Sequence, residues 1–193
     1  MKGLWQATVG VMMLVSMAMA DESGKSFTWN PPKVGTGIFS SDLGMLDSER
    51  DDYATNLAIF ATNRVTSSKA SPASLEFARR VLALAQHLSP RNRKAVVVAF
   101  QLGKGVLPEA TQTDYSPQAL SKLLITRGQL LAKQGGADNT LLARYFIDLA
   151  AEMDPKNEDA VYASEVQRID HGALDWNMLT DFKGKEKSAD PKP

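Results

Sequence analysis

From Leu46 onward the apolar residues recur with the period of a helix. In LDSERDDYATNLAIFATNRV, Tyr53, Leu57, Phe60 and Arg64 fall at i, i+4, i+7 and i+11, which predicts a first helix with Asp47 or Ser48 as its cap. Leu75, Ala78, Leu82, Ala85 and Leu88 predict a second, opened at Pro72 and stopped by Pro90. Asn92 then caps a third, carried by Ala95 to Leu102; its Val96-Val97-Val98 run favours a strand, but the helical pattern on either side outweighs it. A polar stretch from Gly105 to Ser116 reads as a loop. Pro117 opens a fourth helix with Leu120, Leu123, Leu124, Leu130 and Leu131, and GGADN breaks it. Leu142, Tyr145, Phe146, Leu149 and Met153 predict a fifth, ended by Pro155, and Asn157 caps a sixth that runs to about Ile169 before Gly172. The fold class is all-α.

The flanks differ in texture. Residues 1–20, MKGLWQATVGVMMLVSMAMA, carry one charge, an apolar run from Val9 to Val15, and small residues at Ala18 and Ala20. That is the pattern of a secretory signal cleaved after Ala20, and it predicts export to a periplasmic or extracellular space. The rival reading is an uncleaved membrane anchor. Residues 21–45, rich in Gly, Ser and Pro, read as an extended arm that Phe27, Trp29, Ile38 and Phe39 pin onto the helical domain. The domain spans 46–182 and includes a short segment with apolar contacts at Leu174, Trp176 and Leu179, a candidate cap for the end of the helical stack. Residues 183–193, KGKEKSADPKP, read as a disordered tail.

The chain also repeats itself. LALAQHLSPRNRKAV, from Leu82 to Val96, aligns with IDLAAEMDPKNEDAV, from Ile147 to Val161, 65 positions later. Ala78, Leu82, Ala85, Pro90 and Asn92 fall opposite Ala143, Ile147, Ala150, Pro155 and Asn157. Upstream, at an offset of 63, Leu57, Phe60 and Arg64 fall opposite Leu120, Leu123 and Arg127. Small residues at the four Ala positions let antiparallel helices approach, and Leu82 or Ile147 fills the space between them. Helices one to three therefore echo helices four to six.

This pattern of Ala, large apolar, Ala and Pro resembles the second helix of the tetratricopeptide repeat (TPR), and DPKNEDAV is similar to that family's turn into the next repeat. Gly128 and Leu131 resemble its first-helix positions. The family's first-helix Trp is absent, Val65 stands opposite Gly128, and the turns TSSKASPAS and QGGADN are longer than usual. The period is close to two repeats of about 34 residues. The resemblance implies antiparallel helical hairpins stacked as a short TPR-like array of about six helices. It also implies a binding surface lined by the first helix of each pair.

Composition narrows the function. The chain has 22 Lys and Arg against 22 Asp and Glu, two His and no Cys. A neutral total gives no overall field toward nucleic acid or acidic lipid, and disulfides and Cys-based metal sites are excluded. Gly24-Lys25-Ser26 lacks the upstream Gly and the following helix of a phosphate-binding loop. His87 and His171 have no ligand partner at metal spacing and read as helix-surface residues near C-termini. The acids Asp47, Glu49, Asp51 and Asp52 suit a helix N-terminus, and Arg91, Arg93 and Lys94 a solvated turn. No catalytic residue, cofactor or metal is expected.

The expected function is an exported scaffold or adaptor that binds another protein or a peptide, with self-association a further expectation at uncapped ends. The alternatives are a small-molecule binder and a structural envelope protein held by an uncleaved leader. By resemblance, Lys122, Thr126, Gln129 and Lys133, which share one face of the fourth helix, are the candidate partner-binding residues.

Overall fold

The computed structural model describes residues 27–35, 38–39 and 42–182, so the expected leader (1–20) and tail (183–193) lie outside the described residues. Seven helices form among them: α1 (Asp47–Ser67), α2 (Pro72–Leu88), α3 (Arg93–Gly103), α4 (Pro117–Gln134), α5 (Ala137–Met153), α6 (Glu158–His171) and the short α7 (Asn177–Thr180). No strand forms among the described residues, and the fold is all-helical.

Local chemistry sets most of the boundaries. Ser71 accepts from the Ser74 N–H ahead of Pro72, and Ser116 accepts from the Ala119 N–H ahead of Pro117. Asn92 and Asn157 make the same cap at equivalent positions of the two halves, accepting from Ala95 and Ala160. Two boundaries differ from the sequence expectation. Leu46 occupies the cap position of α1 without a side-chain bond, while Asp47 lies inside the first turn. Of GGADN, only Gly135 and Gly136 break the chain, with φ of 71° and 88°; Ala137, Asp138 and Asn139 already begin α5.

The helices pair as two antiparallel hairpins, α1 with α2 and α4 with α5. The α3 helix packs on the first hairpin, and α6 packs on the second. Ala78, Leu82 and Ala85 on α2 and Ala143, Ile147 and Ala150 on α5 are all buried, while Pro90 and Pro155 lie exposed in the turns. The buried faces of the first helices also correspond: Leu57, Ala58, Ala61, Thr62 and Val65 fall opposite Leu120, Ser121, Leu124, Ile125 and Gly128 at the 63-residue offset. Long side chains join the hairpins. The Tyr53 ring stacks on Phe146 with centroids 5.1 Å apart, Arg127 pairs with Glu49 at 2.7 Å, and Arg80 pairs with Glu152 at 2.9 Å.

The two terminal segments complete the core. Trp29 and Phe39 of the arm are buried, Phe27 and Ile38 pack partly buried against the same core, and Trp29 Nε1 donates to the Leu75 carbonyl at 3.0 Å. The segment after α6 turns back rather than covering the outer face of α6. Trp176 meets Tyr145 edge-on and donates to Asp148 at 2.9 Å, and Leu179 is fully buried. It then reaches α2, where Arg79 pairs with Asp181 at 2.8 Å. Arm and segment meet in a single parallel bridge: the Lys33 N–H donates to the Thr180 carbonyl at 2.7 Å, and the Phe182 N–H to the Lys33 carbonyl at 3.0 Å. The expected end cap is thus a strap across α5 and α2.

That strap changes the reading of His87. The sequence places it on a helix surface, but it is 5% exposed, lies edge-on to Phe39 and Phe182, and donates from Nε2 to the Leu179 carbonyl at 3.0 Å. Burial holds its pKa below the ordinary value of 6.5, against the opposing effect of the bond to Leu179.

Candidate binding groove

The loop between α3 and α4 does not hang free. It crosses the outward side of α1, where the Asn63 amide donates to the Thr111 carbonyl at 2.9 Å and accepts from the Thr111 N–H at 2.8 Å. Thr66 Oγ1 donates to the Pro108 carbonyl at 2.7 Å, and Lys94 Nζ donates to Thr111 Oγ1 at 2.7 Å. Two polar side chains one turn apart on α1 thus hold the backbone of an irregular segment of the same chain.

Beside this crossing lies a groove of about 500 Å³ between α1, the end of the loop and the start of α4. Asn56, Phe60, Asn63 and Ser67 repeat along one face of α1 and form one wall. Thr113 and Tyr115 of the loop and Pro117 and Gln118 of α4 form the other. Phe60, Leu120 and Met153 supply an apolar floor, with Phe60 held edge-on to Phe77 at 5.6 Å. Among the described residues, Arg64 is the one charged side chain lining the groove. Its guanidinium sits 3.8 Å over the Phe77 ring and 3.9 Å from Glu152, which also pairs with Arg80. An apolar floor with an amide-rich rim can bind a chain by contact and by hydrogen bonds to its backbone. Among the described residues that line it there is no carboxylate, histidine or cysteine.

Lys122, Thr126, Gln129 and Lys133 are all exposed on the outer side of α4, and none lines the groove. The acidic cluster at the start of α1 is drawn into separate contacts. Glu49 pairs with Arg127, Asp47 lies 3.8 Å from Arg50, and Asp51 accepts from Ser89 and Asn92, bonds that hold its carboxyl below the usual value. Among the described residues, no group of three or more His, Cys, Asp or Glu is placed to hold a metal ion. His171 is exposed at the end of α6. Tyr53 lies close by as a hairpin-joining residue; burial pushes its hydroxyl up to about 12, and it donates to the Leu123 carbonyl at 3.4 Å.

Sequence periodicity could not find this groove, because its walls come from an α1 face and a loop without periodicity. The available signal was the length and polarity of the stretch from Gly105 to Ser116, which long loops with a binding role share. No helix among the described residues is long and apolar enough to cross a membrane. Comparison with known protein families, curated proteins and solved structures finds no significant match to the chain.

Proposed function

We propose that the protein is an exported TPR-like scaffold without catalytic activity or cofactor, and that it binds an extended segment of another protein along the groove beside α1. The observation that carries this reading is the treatment of its own chain: Asn63 and Thr66 hold the Pro108–Thr111 backbone by three hydrogen bonds. The groove continues the same chemistry, with Asn56 and Gln118 on its rim and Phe60, Leu120 and Met153 beneath. A rigid, preformed surface loses little ordering entropy when a segment is added. Export rests on the leader pattern of residues 1–20. A small-molecule ligand is the second reading, favoured by a volume in the range of about 300–1,000 Å³ usual for such sites.

The test is a pull-down from the native envelope extract with mass-spectrometric identification. Asn56→Arg/Gln118→Arg fills the groove from its rim, and Lys122→Glu/Lys133→Glu alters the outer side of α4. The expected result is a protein captured by the wild type and by the α4 variant but lost with the groove variant. Loss with the α4 variant alone would move the site to Lys122, Thr126, Gln129 and Lys133. No captured protein, together with a ligand-induced rise in Tm in a metabolite screen, would replace the scaffold reading with the second one.

A further inference from the structure

Each hairpin carries one further helix, α3 packed mainly on α1 and α6 mainly on α5, and each of these leaves one face without a helical neighbour among the described residues. On α3, Arg93, Val96, Val97 and Phe100 fall within an arc of about 100° at 3.6 residues per turn, and Lys104 at the C-cap joins them, its Nζ 5.6 Å over the Phe100 ring. Phe100 is 65% exposed, and Val96 and Val97 are exposed beside it. On α6, Asp159, Tyr162, Val166, Ile169 and Asp170 fall within a similar arc of about 100°. Tyr162 and Ile169 are 73% and 75% exposed.

The two faces have the same layout and opposite charge. Each has an apolar centre between charged ends, and each pair of end charges lies eleven positions apart, Arg93 to Lys104 and Asp159 to Asp170. At 1.5 Å per residue both spans are about 16 Å. Arg91 adds to the basic end of α3 and Glu158 to the acidic end of α6. None of these six residues forms an ion pair among the described residues. The balanced charge of the whole chain hides this separation.

We infer that the α3 face of one copy of this chain docks on the α6 face of the next. Arg93 and Lys104 would meet Asp159 and Asp170, with Phe100, Val96 and Val97 against Tyr162, Val166 and Ile169. The docking helices are charged alike at both ends, so either relative direction brings opposite charges together. The contact joins two different surfaces, which makes it head-to-tail and able to propagate. An anionic bilayer would suit α3 alone, leaving α6 uncovered and its acidic ends repelled. A second copy covers both faces. This inference stands apart from the groove, which neither face includes.

Sedimentation of the chain as isolated from its host, over a range of concentrations, reads the outcome. The wild type is expected to grow in mass beyond a dimer as concentration rises, and to shrink when salt screens the end charges. Arg93→Glu/Lys104→Glu and Asp159→Lys/Asp170→Lys should each be monomeric, with circular dichroism unchanged. An equimolar mixture of the two should assemble again, because each then offers the charge the other lacks. A wild type monomeric at every concentration, assembly indifferent to both variants, or a mixture that stays monomeric would overturn the inference. A monomer that binds anionic vesicles through Phe100 would overturn it too, and would give the α3 face to a lipid surface.

Discussion

The side-chain amide of Asn63 grips the backbone of Thr111 from both sides, donating to its carbonyl at 2.9 Å and accepting from its N–H at 2.8 Å. This replaces, for one residue, the pairing a strand neighbour would give. It turns the loop between α3 and α4 into a wall of the groove.

Asn63→Ala should therefore release the loop before it unfolds the protein. Loss of two hydrogen bonds at a half-buried site costs about 1–3 kcal/mol. Hydrogen exchange should show the Thr111 amide losing protection while those of α2 and α5 keep theirs. Equal loss across all three would mean that the loop is not a separate unit.

Gly128 sets how closely the second hairpin closes. A Cβ there would stand 2.8 Å from Cγ1 of Ile147 and 3.2 Å from the Ala143 carbonyl oxygen. Gly128→Ala should lower stability by about 1–3 kcal/mol, through overpacking that outweighs the better helix propensity of Ala. A neutral or raised Tm would show that α4 and α5 can part at no cost.

The link between α1 and α2 carries strain in the opposite sense. Lys69 and Ala70 have φ of 49° and 53°, a left-handed conformation unfavourable for residues with a Cβ. Lys69 is exposed, so Lys69→Gly removes that cost without losing a contact. The expected gain is about 0.5–1 kcal/mol, less than the full relief of about 1–2 kcal/mol because Gly also loosens the unfolded chain. Denaturant unfolding of the two proteins side by side checks it.

His87 gives the fold an acid sensitivity. Its folded pKa lies below the ordinary 6.5, so above that pH the ring is neutral in both states and contributes no slope. As the pH falls below 6.5 the unfolded chain takes up a proton that the folded one resists, and stability declines until the folded pKa is passed. The nearby Arg79–Asp181 pair acts in a lower window. Hydrogen bonding to Arg79 depresses Asp181 below 3.8, so its contribution persists until the pH falls through that range. His87→Gln keeps a donor for the Leu179 carbonyl and should flatten the stability profile as the pH falls below 6.5. An unchanged slope there would assign the sensitivity to other groups.

Much of the helical order is legible along the chain because its causes are local. Pro90 and Pro155 stop helices by lacking an N–H, and Asn92 and Asn157 cap the next ones within three residues. The spacing of the small residues Ala78, Ala85, Ala143 and Ala150 marks the faces that are buried. His87 shows the limit of such reading. Its neighbours in sequence suit a surface, while the groups that bury it, Phe39, Leu179 and Phe182, lie dozens of positions away.

The sequence by itself determined most of the helix starts and stops and the echo between its two halves, since hydrogen-bond capping, ring constraints and a 3.6-residue period act over a few positions. Only the tertiary structure decided that the Trp176 segment straps α5 to α2, that Thr111 is held on α1, and that α3 and α6 each leave one face uncovered among the described residues. Those outcomes depend on contacts between distant parts of the chain, and no local pattern encodes which distant partner a side chain meets.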